Sequence, residues 1–161
     1  MPEFRYIGWP EYGRLTEKLA DKVRSGGMTY DLVIGIARGG IPVAMVVSDR
    51  LGTKVDFINV KSYSGIARRG VPRILTALAQ SVKGQKVLLV DDLVDHGTTL
   101  AVVKKHLDDM NPALLQTAVI LRKPWSKTEP DYYVEDEEKW VVFPFELGEV
   151  ERLRAEASRE R

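Results

Sequence analysis

The chain of 161 residues contains no cysteine. That absence excludes a disulfide scaffold, a zinc ribbon, a thiol nucleophile and a dithiol redox site. Excess charge of either sign is also lacking. Lys and Arg number 24 against 23 Asp and Glu, which argues against a protein that grips nucleic acid through a global basic surface. No apolar run approaches the roughly 20 residues of a membrane span, so no membrane partner is expected. The opening stretch MPEFRYIGWPEYGRL has no basic-then-apolar signal pattern, and the expected compartment is the cytoplasm. Internal repeats and low-complexity linkers are missing too. No G-x-G-x-x-G follows any strand, which sets aside a nicotinamide-binding domain. What is present is 44% apolar residues in a chain long enough to bury a core, expected as a single domain over residues 1–161.

Hydrophobic periodicity predicts a helix over 10–25, with Tyr12, Leu15, Leu19 and Val23 on one face. Pro10 suits its first turn and Gly26-Gly27 its end. Strands are expected at 31–37, 55–60, 86–90 and 113–121. A helical stretch runs from Gly40 to about Leu51, and a second helix follows residue 98 with Leu100, Val103, Leu107 and Met110 on one face. Residues 61–73, KSYSGIARRGVPR, read as a polar, basic, glycine-containing loop. Strands that are apolar throughout, rather than alternating, belong to sheets covered on both faces. The alternating β-α order therefore predicts an α/β fold, a doubly wound and mainly parallel sheet, whose ligands bind beyond the carboxyl ends of the strands.

At the end of the third of these strands the chain reads VLLVDDLVDHGTTL, residues 87–100. Asp91 and Asp92 are expected to emerge where the strand ends, and adjacent carboxylates are costly unless a cation or hydroxyl donors meet them. Asp95 follows, and Gly97-Thr98-Thr99 leads into the helix, where close backbone approach, hydroxyls, free amides and the helix dipole favour an anion. An acidic pair can merely end a strand and a threonine merely open a helix. The combined string instead describes a phosphate cradle beside a diol or metal binder. It resembles the signature of the type I phosphoribosyltransferases: four apolar residues, two acidic ones, then a phosphate loop that binds phosphoribosyl pyrophosphate. One departure is His96, where threonine is usual; it is either a loop residue without a role or a phosphate donor.

The resemblance implies further assignments. Asp91, Asp92, Leu93, Val94, Asp95, His96, Gly97, Thr98 and Thr99 become the phosphoribosyl pyrophosphate loop. Arg38-Gly39-Gly40 becomes the pyrophosphate loop, with a strained or cis peptide expected at Ala37–Arg38. Ser62, Tyr63, Arg68 and Arg69 fit the segment that closes over the diphosphate, with Arg69 favoured over Arg68 by its spacing. The core is expected at about 10–121, a base-binding hood at about 122–147 and a surface tail helix at 148–161. The hood resembles the xanthine–guanine and hypoxanthine–guanine branch. Lys123 would donate to a purine 6-oxo group, Trp140 would stack on the ring, Val141 would offer its backbone, and Trp125 receives no role. The N-terminal helix and the tail add nothing to function in this reading.

The implied activity is transfer of a 5-phosphoribosyl group to guanine, xanthine or hypoxanthine. Asp91 and Asp92 would anchor the ribose diol, Asp92 would be the protein partner of Mg²⁺, and Asp95 would handle the proton at purine N7. Relatives imply a homodimer or homotetramer. The same fold could serve a non-catalytic sensor of phosphoribosyl pyrophosphate or nucleotide. A phospho-receiver domain is set aside, because its acidic pair would lie near the N-terminus rather than at 91–92.

Overall fold

The computed structural model describes residues 3–65 and 68–159, without the side chains of residues 62–65, 68–70 and 157. Pro10 opens α1 (Trp9–Ser25), whose buried stripe carries Tyr12, Leu15, Leu19 and Val23, and Gly27 leaves it at φ 74°. Before it stands a short strand, β1 (Phe4–Tyr6). The next elements are β2 (Leu32–Ala37), α2 (Gly40–Leu51), β3 (Lys54–Gly65) and β4 (Arg68–Ile74). They are followed by β5 (Lys86–Val94), α3 (Thr98–Asp108) and β6 (Leu114–Arg122). The chain ends with β7 (Tyr132–Asp136), β8 (Trp140–Val142) and α4 (Leu147–Arg159).

The central sheet has the order β4-β3-β2-β5-β6-β7. Its members pair in parallel except β4, which runs antiparallel to β3. Alternate residues of the buried strands feed two separate cores. Val33, Leu88, Val90, Ala118 and Ile120 pack with Leu19 and Val23 of α1 and Val43 and Val47 of α2. Ile34, Val87, Leu89 and Val119 face the other way, onto Leu100, Val103 and Leu107 of α3. Each such valine, leucine or isoleucine contributes about 1.5–3 kcal/mol when fully buried, and the two clusters together make a three-layer α/β fold. From β2 the chain steps to β3 on one side, whereas β5 leads through β6 to β7 on the other. The reversal falls between β2 and β5, the place where open sheets of this kind form a crevice at their carboxyl ends.

Four expectations are corrected. Strand β5 does not stop at Val90 but carries the acidic pair within it, because its ladder with β6 continues through Asp91↔Val119 to Val94↔Arg122. Residues 61–65 and 68–73 are the arms of an antiparallel pair rather than a loop, with Val60↔Ile74, Lys61↔Arg73 and Ser62↔Pro72 in register. Pro72 is tolerated because β4 is the sheet's edge. Among the described residues no helix stands between β3 and β5. Finally, Tyr132 and Tyr133 of the expected hood form β7, the opposite edge of the central sheet.

The hood also draws on the N-terminus. β1 pairs in parallel with β8, Phe4 opposite Trp140 and Arg5 opposite Val141. The Arg5 guanidinium meets Glu11 at 2.7 Å, Glu135 at 2.6 Å and Glu137 at 2.7 Å. Arg154 of α4 lies over the rings of Phe4 and Tyr6 and donates to the Tyr6 hydroxyl. The N-terminus and tail, given no role from sequence, thus brace the strand that carries Trp140.

Candidate active site

The carboxyl ends of β2 and β5 lie against each other at the sheet's reversal. After β2 the Ala37–Arg38 peptide is cis, as expected for that position. Gly39 and Gly40 then open α2 pressed against β5. A Cβ on Gly39 would lie 2.1 Å from Asp92 Oδ2, and one on Gly40 would lie 2.8 Å from the Val90 carbonyl oxygen. Glycine is therefore required at both positions by close approach.

The acidic pair is held in place by its own backbone. Asp91 Oδ1 accepts the Asp92 N–H at 2.9 Å, and Asp92 Oδ1 accepts the Leu93 N–H at 2.6 Å. Burial pushes the Asp91 carboxyl well above the usual carboxylate range, and the charge of Asp92 pushes it further. Asp92 is pushed up to about 6 by burial and by the charge of Glu146. Glu146 is itself pushed up by burial while its carboxylate accepts the Phe143 N–H at 2.9 Å. It was missed in the sequence, where it reads as one more acid near the tail. On α1 the buried Tyr12 phenol is pushed up by burial and by the charges of Asp92 and Asp91.

Beyond β5 the chain turns at Gly97, with φ 86°, into α3. A side chain there would be strained and would also meet Thr128 Oγ1 at 2.5 Å. Among the described residues no side chain caps α3, so its first amides remain open to an anion. Thr98 is exposed and Thr99 half-buried at this terminus. A cavity of about 510 Å³ gathers Asp91, Leu93, Val94, Asp95, the 96–99 turn and Trp140. A second of about 500 Å³ gathers Arg38, Gly39 and Lys61 with Glu146. A roomier one of about 670 Å³ opens between the 75–83 segment and the end of α3, away from the strand ends, and includes none of the candidate groups.

A model of the phosphoribosyl transferase domain matches residues 8–152. The chain belongs to the phosphoribosyltransferase family. It is 31% identical over 150 residues to the xanthine-guanine phosphoribosyltransferase of Cereibacter sphaeroides, covering 89% of this chain and 87% of that protein. Over 145 residues it is 28% identical to the Idiomarina loihiensis xanthine-guanine phosphoribosyltransferase, covering 88% and 86%. Among solved structures, the purine phosphoribosyltransferase of Pyrococcus horikoshii superposes with a TM-score of 0.79 at 35% identity, covering 89% of this chain and 93% of that one.

As a phosphoribosyltransferase, the chain places the remaining candidates as follows. Lys123 is buried, its Nζ donates to the Lys139 carbonyl oxygen, and burial lowers its pKa. Trp140 is exposed in the hood and borders the larger of the two strand-end cavities. Val141 is half-buried beside it. His96 brings Nε2 to 3.7 Å from Asp95 Oδ1, and that same Asp95 oxygen accepts the indole N–H of Trp125 at 2.8 Å. Trp125 had no role in the sequence reading, since nothing in KPWS ties it to a residue thirty positions earlier. The side chains of Arg68, Arg69, Ser62 and Tyr63 lie outside the described residues.

The residues present fit a divalent cation. Two carboxylates raised by burial gain from a nearby positive charge. Among the described residues no three ligating side chains are grouped to cage a metal.

Proposed function

We propose that this phosphoribosyltransferase moves a 5-phosphoribosyl group from phosphoribosyl pyrophosphate to a ring nitrogen of a 6-oxopurine, guanine, xanthine or hypoxanthine. The products are the nucleoside monophosphate and pyrophosphate. The observation that carries the reading is that one cavity joins Asp91, Asp95, the 97–99 turn and Trp140. In this reading the open amides of α3 and the hydroxyls of Thr98 and Thr99 hold the 5′-phosphate. Asp91 and Asp92 accept hydrogen bonds from the ribose hydroxyls, and Arg38 with the amides at Gly39 and Gly40 holds the diphosphate. The bond from the anomeric carbon to pyrophosphate oxygen breaks, a bond to purine nitrogen forms, and Asp95 takes the purine proton. Asp92 would hold Mg²⁺ on the protein side, and the ion would supply positive charge to the diphosphate.

Trp140 offers its exposed indole face to the flat base. An ammonium has three donors, so Lys123 can serve a purine 6-oxo group while keeping the Lys139 carbonyl. That choice of donor discriminates against the amino group of adenine. The backbone at Val141 faces the exocyclic edge, and Arg69, with Arg68, closes over the diphosphate. The same reading assigns residues 1–161 to one domain that works in the cytoplasm as a homodimer or homotetramer. No helix of the described residues is long and apolar enough to cross a membrane.

The test is incubation with phosphoribosyl pyrophosphate, Mg²⁺ and each purine base in turn, with nucleotide followed by chromatography. Product is expected from one or more 6-oxopurines and not from adenine. Binding of phosphoribosyl pyrophosphate without product from any base would instead support the non-catalytic sensor.

A further inference from the structure

Four hydrogen bonds run rung by rung between the end of β5 with its phosphate turn and the segment after β6. Lys123 N–H donates to the Val94 carbonyl at 2.9 Å and Lys127 N–H to the His96 carbonyl at 3.2 Å. Thr128 Oγ1 donates to the Gly97 carbonyl at 3.0 Å. The remaining rung is the only one that ends on a reactive group, the Trp125 indole N–H on Asp95 Oδ1 at 2.8 Å. The turn is tied internally as well, by Ser126 N–H to the Lys123 carbonyl at 2.9 Å and Ser126 Oγ to the Thr128 carbonyl at 3.0 Å. Its indole therefore projects from a braced support.

We infer that Trp125 is a positioning residue, which holds the Asp95 carboxylate by one oxygen and so presents the other to the purine. The inference rests on the function proposed above and deepens it. Trp125 meets the site through Asp95, whose Oδ1 takes its indole N–H, so it acts through Asp95. An indole N–H is a donor only, and it fixes the carboxylate without competing for the proton that Asp95 receives. Asp95 is exposed and has an alternative neighbour in His96 Nε2 at 3.7 Å, so its orientation needs a restraint. The Lys123 Nζ lies 5.4 Å from the centre of the Trp125 ring. One indole thus neighbours both the donor proposed for the 6-oxo group and the acceptor proposed for N7, two adjacent positions on the purine edge.

The decisive experiment is a double-mutant cycle of Trp125→Phe and Asp95→Asn, with kcat and KM measured for both substrates. Phenylalanine keeps the ring and removes the N–H. A hydrogen bond to a charged group is worth a factor of roughly ten or more, so Trp125→Phe is expected to lower kcat about tenfold. The KM for phosphoribosyl pyrophosphate should stay within about twofold. In the Asp95→Asn background the same substitution should change kcat by less than about twofold, because the group it acts through is gone. Equal fractional losses in both backgrounds, or wild-type kcat in Trp125→Phe, would overturn the inference. Should Trp125→Phe fold poorly, Trp125→His restores a ring N–H and is expected to recover part of kcat; no recovery counts against the role. The contact is also read without turnover. Of the three indole N–H signals, the one lost in Trp125→Phe should shift in Asp95→Asn, and an unmoved signal refutes the contact. A wild-type chain that makes no nucleotide would refute the proposed function while leaving that spectral result to stand or fall separately.

Discussion

Alanine at Gly39 separates backbone conformation from close approach. Gly39 caps α2 with φ −59° and ψ −33°, values any residue adopts, so Gly39→Ala introduces no backbone strain. The new Cβ would lie 2.1 Å from Asp92 Oδ2, 2.6 Å from Cγ and 2.9 Å from Oδ1. Relief requires Asp92 to swing away, which breaks the 2.6 Å hydrogen bond it accepts from the Leu93 N–H. A hydrogen bond to a charged group contributes about 1.5–3 kcal/mol, less what water returns to a half-buried carboxylate. A stability loss of about 1–2 kcal/mol is expected, or about 2–8 °C in Tm for a domain of this size. The functional loss should be larger. The carboxylate leaves the face proposed for the ribose, and a methyl group enters the cradle proposed for the diphosphate. We expect the KM for phosphoribosyl pyrophosphate to rise at least tenfold, at about 1.4 kcal/mol per factor of ten.

Gly40→Ala is the matched control. Its Cβ meets the Val90 carbonyl at 2.8 Å and Asp91 Cα at 3.3 Å, backbone atoms that cannot swing away. Overpacking of this kind costs about 1–3 kcal/mol and should lower Tm at least as far as Gly39→Ala does. Thermal melts and initial-rate kinetics on both variants decide the matter. Gly39→Ala with a wild-type KM for phosphoribosyl pyrophosphate would refute the reasoning, since it would mean that the diphosphate cradle does not depend on the Gly39–Asp92 contact.

Two further predictions concern electrostatics. Burial raises the carboxyl of Asp92 to about 6, so between about pH 4 and 6 the folded chain holds a proton that the unfolded chain has released. Stability from this group is accordingly lost as pH rises through that window, by at most about 3 kcal/mol at 1.4 kcal/mol per pH unit. Urea melts at pH 4.5 and 7.5 should show wild type falling relative to Asp92→Asn, and parallel pH profiles would count against the raised Asp92 carboxyl. At the hood, Arg5→Met leaves three carboxylates facing one another, among them Glu137, whose side chain is only 10% exposed. A loss of about 1–3 kcal/mol is expected, with KM rising for the base more than for phosphoribosyl pyrophosphate; an unchanged base KM would detach Arg5 from the hood's function.

What could be read in the sequence and what could not divides along a physical line. The apolar strands, the amphipathic stripe of α1 and the 91–99 string are local patterns, and each violates or satisfies a rule within a few residues. Asp91-Asp92 inside an apolar strand, Gly97 before an uncapped helix and two glycines after β2 are locally unfavourable unless a ligand compensates, which is why they stand out. The structure adds residues that break no local rule. Trp125 is an ordinary aromatic in a turn until it reaches Asp95, Arg5 an ordinary surface cation until β1 pairs with β8, and Glu146 an ordinary acid until it faces Asp92. Their roles come from contacts 30, 132 and 54 positions away in sequence, from Trp125 to Asp95, Arg5 to Glu137 and Glu146 to Asp92. Periodicity cannot reach across such separations, and charge counting averages over them: a net charge of +1 conceals a cavity in which Arg38 answers Glu146 from the other end of the chain. The acidic pair and the loop glycines proposed to meet substrate were therefore legible because they are locally costly, Lys123 and Trp140 only through the resemblance, whereas the groups that aim and brace them satisfy every local rule and become visible only when the chain is folded.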